Sequence, residues 1–490
     1  MKNNFTVRII KTELNYFKNV QHGEIKYINY SNAENKAYID KNDILGIYGQ
    51  NGSGKTAMIE ALDILQHILM GIEINYDEYE GLIDEDSKTS MITTFFIDYD
   101  DKCYKAEYKF NLMKSDGKIY ISEEELCYWR KGSNWKTERK ISLSNPFYNN
   151  DSILTDNNKI IFSKDIKHFK DVPFFNSIQN LAIYCSQKNI SILFNNVTAQ
   201  NIETSNLSDN LEIESLYNVI YALYHFGRLY FHVVKVNQLS DINNKAVLPM
   251  NIHNECGDYI MQGCLPMFLS GKANIDEYMY AELCKAIDVI NIALKSIIPN
   301  LQIEIVKVNE EIIEDGHKII QINVYSIRDN KRFLTKYESE GIKRIISLLN
   351  YLIAFYNSPK ICLVVDELDS GIFEYLLGEL LGILKEEAKG QLIFTSHNLR
   401  VLEKLDNSNI ICTTVNPMNR YIRLQGVEKN NNKRDFYIRS IVIGGQKEDI
   451  YDDTDLQAIG YAFRKARKKD NIPKLNLSDY MKDLLSNDNK

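Results

Sequence analysis

Residues 49–56 constrain this chain more than any other stretch, because they read Gly-Gln-Asn-Gly-Ser-Gly-Lys-Thr. The run fits G-x-x-x-x-G-K-[ST], the pattern of a phosphate-binding P-loop. An apolar run at 44–48 precedes it and predicts a buried strand, and residues 57–65 follow with the apolar spacing of a helix. Strand, glycine-rich loop and helix in this order are the context that a P-loop requires. A glycine-rich turn without a ligand is the plain alternative.

The residue types within the loop predict how it would hold a nucleotide. Glycines let the backbone point its N–H groups at phosphate oxygens, and the start of the following helix adds partial positive charge. Lys55 is expected to reach the β- and γ-phosphates of ATP, and the Thr56 hydroxyl to bind Mg²⁺. The predicted ATP-binding residues are Asn51, Gly52, Ser53, Gly54, Lys55 and Thr56.

The composition excludes several classes of protein. The chain has 490 residues, more than one compact core usually holds, and its net charge of −8 argues against a generally basic nucleic-acid-binding surface. The first residues lack the apolar core of a signal peptide, and no apolar run reaches the roughly 18 residues of a membrane helix. We therefore expect a cytoplasmic protein without a membrane span. The cysteines form no C-x-x-C, and His253, Cys256 and Cys264 fit no standard zinc spacing, so reduced thiols are expected.

A second group of chemically competent residues lies far along the chain from the P-loop. Residues 361–367 form an apolar run that ends in Asp366 and Glu367, which predicts a buried strand with two carboxylates at its end. This is a Walker B pattern, in which Asp366 holds Mg²⁺ and Glu367 polarises the attacking water as general base. A strand that ends in an acidic surface turn is the alternative for this segment alone.

Two further motifs lie on either side of this pair. Residues 392–397 form another apolar run that ends in His397, which either contacts the γ-phosphate and senses hydrolysis or is a surface histidine. Upstream, Ser339 and Gly341 open a strongly apolar helix that Pro359 ends. A serine and a glycine at a helix start form an anion site, which could bind a phosphate presented by another subunit. A helix cap without further function is the alternative.

The remaining patterns predict strands near both motif groups and long helices between them. Helices are predicted at 211–234 and 278–298, with apolar stripes typical of a core. Neither helix sustains heptads, so we expect a compact helical insertion rather than a long coiled-coil arm. Strands are predicted at 5–10, 37–39, 91–98, 103–112, 118–122, 126–130, 303–308 and 318–327, with a hairpin turn at 315–316.

Together these motifs resemble the ABC-type ATPase head of the SMC-like, RecF-like and OLD (overcoming lysogeny defect) families. They look most similar to the compact AAA-type ATPases of bacterial anti-phage defence modules, such as the AbiL-like and PARIS ATPases. The resemblance covers roughly residues 5–130 and 300–425. It implies an α/β fold, namely a P-loop NTPase head with a mixed sheet, an antiparallel β lobe and a compact helical insertion.

On this resemblance the chain divides into four regions. They are an N-terminal half of the ATPase head with the P-loop and the antiparallel lobe (1–140), a helical insertion or lid (141–300), a C-terminal half of the head with the signature, Walker B and His397 motifs (301–425), and a tail with a basic helix (426–490).

The resemblance also implies an ATPase in which two heads close around two ATP molecules. Carried over by position, Ser339 and Gly341 would contact the γ-phosphate bound by the opposite subunit, and residues 368–371 fall where the D-loop lies. The signature Ser-Glu-Gly-Ile replaces the transporter-type Ser-Gly-Gly-Gln, and Phe373 stands where many relatives carry Asp or His. Gln187 is the candidate for the Q-loop glutamine.

For the biological role, the resemblance implies a sensor or regulatory ATPase subunit of an anti-phage defence complex. It would form a homodimer or higher homo-oligomer and act with a separate effector, a nuclease or Toprim-like protein encoded nearby. A DNA-repair or chromosome-maintenance ATPase that binds DNA directly is the second interpretation, which makes nucleic acid a further candidate partner. A transporter subunit is the third, and it fits the signature and the insertion poorly.

The C-terminal tail carries an acidic cluster at 448–455 and a basic run at 464–469. The acidic residues could be a remnant of a metal-binding Toprim nuclease domain. Thr454 alternatively begins a capping box, which predicts a helix start, and we prefer this interpretation. The basic run either touches nucleic acid or an acidic partner, or is simply solvated.

Overall fold

The fold is described from a computed structural model of the chain. The structure describes residues 4–27, 42–84, 87–131, 138–144, 181, 184–185, 187–204, 211–235, 247–251, 254–256, 259–261, 264–268, 272–312, 318–425, 432–452 and 455–466.

Strands and helices alternate irregularly along the described residues. The strands are β1 Phe5–Phe17, β2 Val20–Lys26, β3 Asp43–Tyr48, β4 Thr89–Tyr99, β5 Lys102–Ser115, β6 Lys118–Arg130, β7 Glu138–Ser144, β8 Phe231–Val234, β9 Val247–Asn251, β10 Asn254–Cys256, β11 Tyr259–Met261, β12 Cys264–Phe268, β13 Lys272–Asp276, β14 Gln302–Ile312, β15 Lys318–Arg328, β16 Lys331–Leu334, β17 Cys362–Val365, β18 Gln391–Thr395, β19 Ile410–Thr413 and β20 Tyr421–Arg423. The α-helices are α1 Lys55–Met70, α2 Tyr76–Tyr79, α3 Asn196–Thr204, α4 Leu211–Leu229, α5 Glu277–Ile297, α6 Glu340–Asn357, α7 Glu374–Glu387, α8 Leu399–Lys404, α9 Lys433–Ile443 and α10 Leu456–Ala466.

The P-loop strand β3 lies inside a six-stranded sheet of the order β20-β19-β3-β18-β17-β8. Strands β19, β3, β18, β17 and β8 run parallel, and β20 is antiparallel to β19. The side chains of the parallel strands are almost entirely buried, as in sheets covered on both faces. The carboxyl ends of β3, β18 and β17 therefore meet at one edge of the sheet, where the P-loop, His397 and the two carboxylates follow them.

Strand β8 corrects the predicted helix over 211–234. Helix α4 ends at Leu229, and Phe231–Val234 pairs parallel with β17. A short run such as Phe-His-Val-Val fits a buried strand as well as the end of an amphipathic helix, so periodicity alone cannot separate the two. The edge of β17 decides between them, because it offers hydrogen-bond partners along the whole of β8.

A second six-stranded sheet, of the order β2-β1-β4-β5-β6-β7, is antiparallel throughout and confirms the predicted β lobe. Asp100 (φ 44°) and Asp101 (φ 66°) form the tight turn between β4 and β5, with the left-handed backbone that two-residue hairpin turns require. The two short segments predicted at 118–122 and 126–130 are one strand, β6. A register shift between Asn111 and Leu112 of β5 accounts for the broken alternation.

The middle of the chain contains strands as well as helices. Helix α5 occupies nearly the predicted range, and its buried face packs on a small sheet of the order β13-β15-β14, with β16 beside β15. This packing forms a second apolar core, distinct from the large core around the two six-stranded sheets. The strand predicted at 37–39 and the turn predicted at 315–316 lie outside the described residues.

The predicted fold class, α/β with a mixed sheet and an antiparallel lobe, is confirmed. Within the described ranges, no helix combines the length and the apolar character of a membrane span. The side chains of His253, Cys256 and Cys264 lie outside the described residues. Cysteines that form no disulfide among the described residues are Cys103, Cys127, Cys185, Cys284, Cys362 and Cys412.

Residues 1–450 form one compact unit and residues 451–490 another. In the second unit, the carboxylate of Asp455 accepts the N–H groups of Gln457 and Ala458, each at 2.9 Å, and so caps α10. The cap predicted at Thr454 is therefore at Asp455, one residue later. The four domain boundaries expected from the sequence remain predictions.

Candidate nucleotide site

A cleft of about 220 Å³ opens at the carboxyl edge of the central sheet. It brings the P-loop together with the two carboxylates after β17 and the histidine after β18. The lining residues are Lys18, Asn19, Asn51, Gly52, Gly54, Lys55, Thr56, Ala57, Asp366, Glu367 and His397. Three motifs that are far apart in the sequence thus share one cleft, and five of the six predicted P-loop residues line it.

The P-loop has the backbone that phosphate binding needs. Gly52 (φ 76°) and Gly54 (φ 96°) adopt the left-handed conformation, which glycine reaches without strain. The Lys55 Nζ atom donates to the carbonyl oxygens of Gly49 at 2.8 Å and Gln50 at 2.9 Å. Burial lowers the pKa of Lys55, although Asp366 and Glu367 favour its charged form. Lys55 is therefore a buried amine held at the loop, and the negative charge of a phosphate would stabilise its protonated form.

Ser53 is the P-loop residue that does not line the cleft. Its Oγ atom donates to the Gln50 carbonyl oxygen at 2.6 Å and also hydrogen-bonds the Thr413 hydroxyl. The Ser53 side chain thus ties the loop to the end of β19. Its role in the structure is to fix the shape of the loop.

Asp366 is buried at the end of β17 and faces the P-loop across the cleft. The Thr395 hydroxyl donates to its Oδ1 atom at 2.5 Å. Burial raises the pKa of Asp366, and the Thr395 hydrogen bond and the Lys55 charge oppose this rise. A buried carboxylate opposite the Thr56 hydroxyl is a set of hard oxygen donors that fits Mg²⁺, which binds through few protein ligands plus substrate phosphates. The described residues contain no group of three or more His, Cys, Asp or Glu side chains that could hold a metal ion.

Glu367 has an unusual backbone for a residue with a side chain. Its φ of 47° lies in the left-handed region, which costs a non-glycine residue about 1–3 kcal/mol. Its N–H donates to the Thr395 Oγ1 atom at 2.7 Å. The Arg344 Nη2 atom donates to the carbonyl oxygens of Asp366 at 3.0 Å and Glu367 at 3.4 Å. Both peptide groups beside this strained residue are therefore held by buried side chains, while its carboxylate faces the cleft.

His397 is placed by the turn after β18. Its backbone N–H lies 3.2 and 3.4 Å from the two carboxylate oxygens of Asp369, which belongs to the predicted D-loop. The His397 side chain is exposed and lines the cleft beside Glu367. Asp369 thus fixes the backbone of His397 at the cleft, and contact between His397 and a γ-phosphate remains a prediction.

Ser339 and Gly341 do not line the cleft of their own chain. The Ser339 Oγ atom accepts the N–H of Ile342 at 3.4 Å and caps α6, so the capping role exists. A Cβ atom on Gly341 would lie 2.1 Å from the Gly371 carbonyl oxygen, so the start of α6 packs directly on the predicted D-loop. Ser339 itself is exposed. Contact with a nucleotide held by another subunit remains a prediction.

Gln187, the Q-loop candidate, does not line the cleft. It is exposed and lies in the segment of Tyr184 and Lys188, which line a different pocket together with Gly71. The prediction rested on residue type alone, without a strand that would carry the glutamine to the site. Strand β8 borders β17 on the side opposite to β18, and the sequence pattern had predicted its residues as part of a helix.

Sequence reasoning also missed Lys18 and Asn19, which line the cleft from the turn between β1 and β2. The Lys18 Nζ atom forms an ion pair with Glu60 at 3.2 Å, and the Asn19 side chain donates to the Gly52 carbonyl oxygen. Lys18 has a φ of 55°, so a tight turn carries both residues over the P-loop. The interruption of apolar alternation after Phe17 is a signal for that turn, but no local pattern indicates that it reaches the P-loop.

No family model matches the chain, and no curated protein matches it. Among solved structures, an SMC head domain from Thermotoga maritima aligns with 86% of this chain and 100% of its own length, at 14% identity and a TM-score of 0.32. An SmcHead bound to the C-winged helix domain of ScpA aligns with 85% of this chain and 98% of its own length, at 12% identity and a TM-score of 0.36. A third structure is an Smc head domain with an extended coiled coil bound to the C-terminal domain of ScpA, derived from Pyrococcus furiosus. It aligns with 85% of this chain and 96% of its own length, at 12% identity and a TM-score of 0.33. These superpositions are loose, and the function is inferred below from the cleft.

Proposed function

We propose that this chain is an ABC/SMC-like ATPase that binds ATP with Mg²⁺ and hydrolyses it. The observation that carries the proposal is the shared cleft, which gathers Lys55 and Thr56 of the P-loop with Asp366, Glu367 and His397. A P-loop, a buried magnesium-type carboxylate and a second carboxylate beside it are the parts that phosphoryl transfer to water requires.

Each residue has a defined task in this proposal. The P-loop backbone binds the phosphates, and the Lys55 ammonium turns from the Gly49 and Gln50 carbonyls to the β- and γ-phosphates. Thr56 and Asp366 would hold Mg²⁺, which neutralises charge on the phosphate oxygens. Glu367 accepts a proton from the attacking water, and His397 contacts the γ-phosphate.

We further propose that two copies of the chain act together, with ATP between them. Ser339 is exposed at the start of α6, and the N–H groups of a helix start favour an anion. A P-loop leaves one side of the γ-phosphate open, and the helix start of a second copy is suited to close it. The active form would then be a homodimer or a higher homo-oligomer.

The cellular role that we propose rests on the motif resemblance alone. It is that of a cytoplasmic sensor or regulatory subunit of an anti-phage defence complex, with a nuclease or Toprim-like effector. Purification together with the neighbouring gene product, followed by mass measurement of the complex, tests this role. A stable complex with a nuclease supports it, and a complex with a DNA-repair protein contradicts it.

ATP binding and hydrolysis are tested with two substitutions in the cleft. Lys55→Ala removes the buried cation, and isothermal titration with ATP and Mg²⁺ should show loss of binding. Glu367→Gln keeps the shape but removes the base, so ATP should bind and turnover should fall by roughly 10²–10⁴-fold. Lys118→Ala is the matched control, because this exposed lysine lies in β6, outside the cleft. Unchanged affinity and turnover in Lys55→Ala would refute the nucleotide site.

A further inference from the structure

Arg344 is a buried cation next to the proposed catalytic residues. It lies in the second turn of α6 and is only 2% exposed. Its Nη2 atom donates to the main-chain carbonyl oxygens of Asp366 and Glu367, at 3.0 and 3.4 Å. Burial lowers the pKa of Arg344 to about 10, although the carboxylates of Asp366, Glu367 and Asp369 favour its charged form. The guanidinium therefore stays charged at neutral pH.

This environment is a costly one for an arginine. Its Nε and Nη1 atoms are buried and have no hydrogen-bond partner among the residues that the structure describes. A buried donor without a partner loses its hydrogen bond to water and gains nothing in return, and this penalty is larger on a charged group. An apolar side chain of similar volume would often be as stable or more stable at such a position. Stability is therefore a poor explanation for Arg344, and its contacts suggest another role.

The peptide that Arg344 contacts is the strained one. Glu367 has a φ of 47°, so its backbone needs support from its surroundings. Thr395 holds the N–H of Glu367, and Arg344 holds its carbonyl oxygen. Loss of either contact would let this backbone relax and turn the Glu367 carboxylate away from its position in the cleft.

Arg344 also joins Glu367 to the start of α6. The same helix begins at the Ser339 cap and packs through Gly341 against the Gly371 carbonyl oxygen. A displacement of this helix start therefore reaches Glu367 by two routes, through the D-loop and through the Arg344 side chain.

We propose that Arg344 is a positioning residue for ATP hydrolysis, which holds the Glu367 peptide in its left-handed conformation and links it to α6. The proposal rests on the proposed ATPase function. On this proposal, the Glu367 carboxylate is oriented for catalysis only while the start of α6 packs against the predicted D-loop.

The test separates turnover from binding. Arg344→Gln should lower kcat on the order of 10²-fold, the effect of misplacing a reacting group by about 1 Å, and leave ATP affinity unchanged. Arg344→Lys, which keeps a charged donor, should restore part of kcat. Arg8→Gln is the matched control, because Arg8 is an equally buried arginine that donates to a main-chain carbonyl, that of Lys389, away from the cleft. It should lower stability without lowering kcat.

A double-mutant cycle makes the test specific to Glu367. In a Glu367→Gln background no base remains to be oriented, so adding Arg344→Gln should slow the residual turnover little further. Equal slowing in both backgrounds would overturn the proposal, as would wild-type kcat in Arg344→Gln. If Arg344→Gln does not fold, Arg344→Met supplies the same comparison without a buried polar group. Wild-type protein without ATPase activity would instead refute the proposed function, and this inference with it.

Discussion

Thr395 is the residue through which the two proposed catalytic carboxylates are connected. It ends β18, and its hydroxyl donates to the side chain of Asp366 while accepting the main-chain N–H of Glu367. The Thr395 carbonyl oxygen also accepts the N–H of Leu368, at 3.0 Å. One buried hydroxyl thus orients the proposed magnesium ligand and the backbone of the proposed base together.

Thr395→Val should shift the pH dependence of the ATPase reaction. Burial raises the pKa of Asp366, and the Thr395 hydrogen bond opposes this rise. Without the hydroxyl the pKa rises further, so protons compete with Mg²⁺ for Asp366 at higher pH. The acidic limb of kcat against pH should therefore move to higher pH. Because the Glu367 N–H loses its partner, the free energy of unfolding should also fall by about 1–3 kcal/mol.

The control for this variant is Thr395→Ser, which keeps the hydroxyl. Turnover measured across pH at several Mg²⁺ concentrations distinguishes the two substitutions. An acidic limb of Thr395→Val that coincides with the wild-type limb would show that Thr395 does not tune Asp366.

At the residue scale, motifs of consecutive residues could be predicted from the sequence. Contacts between residues that lie far apart in the chain could not. Four residues that line the cleft belong to short motifs, which can be recognised from a few consecutive residues. They are Lys55, Thr56, Asp366 and Glu367. Thr395 acts on a carboxylate 29 positions earlier. Its contribution depends on the register of two parallel strands, which no local pattern encodes.

At the scale of elements, helix α6 connects the predicted D-loop with the end of β17. Its start packs on the D-loop at Gly371, and its second turn carries Arg344 to the end of β17. Its apolar face belongs partly to the large core and partly to the small core around α5. The helix therefore contacts the predicted D-loop, the end of β17 and the small core around α5 as one continuous element.

Gly341→Ala tests the contact between α6 and the D-loop. The added Cβ atom would meet the Gly371 carbonyl oxygen at 2.1 Å, so the helix start must move. We expect a loss of about 1–3 kcal/mol in the free energy of unfolding, as for overpacked sites. ATP affinity should persist, because the P-loop is untouched, while turnover should fall.

Gly382→Ala is the matched control, because this glycine lies within α7 and an added Cβ atom would meet no atom within 4 Å. It should stabilise the protein by roughly 0.5–1 kcal/mol, the usual gain from replacing glycine in a helix. Urea unfolding and ATPase rates on both variants check the pair. Wild-type stability and turnover in Gly341→Ala would contradict the packing of α6 on the D-loop.

Strands and helices could be predicted where their apolar residues repeat with one clear period. The antiparallel strands β4 and β5 and the helix α5 lie close to their predicted ranges. The failure at β8 has a different origin, since four residues are too few to show a period. Pairing with β17, which lies far downstream, determines their conformation.

The whole molecule offers a test of the proposed dimer. Ser339→Arg should spare ATP binding but block closure by a second copy, and so abolish turnover. A mixture of Ser339→Arg with Lys55→Ala should recover part of the activity, because one mixed site pairs an intact P-loop with an intact α6 start. The ATPase rate across a mixing series, with mixed dimers verified by native mass spectrometry, gives the answer. Mixed dimers that recover no activity at any ratio would argue against a shared site.

The position of β3 between β18 and β19 has a consequence for how the protein is made. Ribosomes complete the P-loop before the strands that border β3 on both sides, which end near residues 395 and 413. At about 5–20 residues per second, this delay is on the order of tens of seconds. During that time both edges of β3 lack their partners, and the cleft lacks Asp366, Glu367 and His397. A nascent chain therefore leaves both edges of β3 unpaired until these strands are made, and the proposed nucleotide site is incomplete until residue 397 has been added.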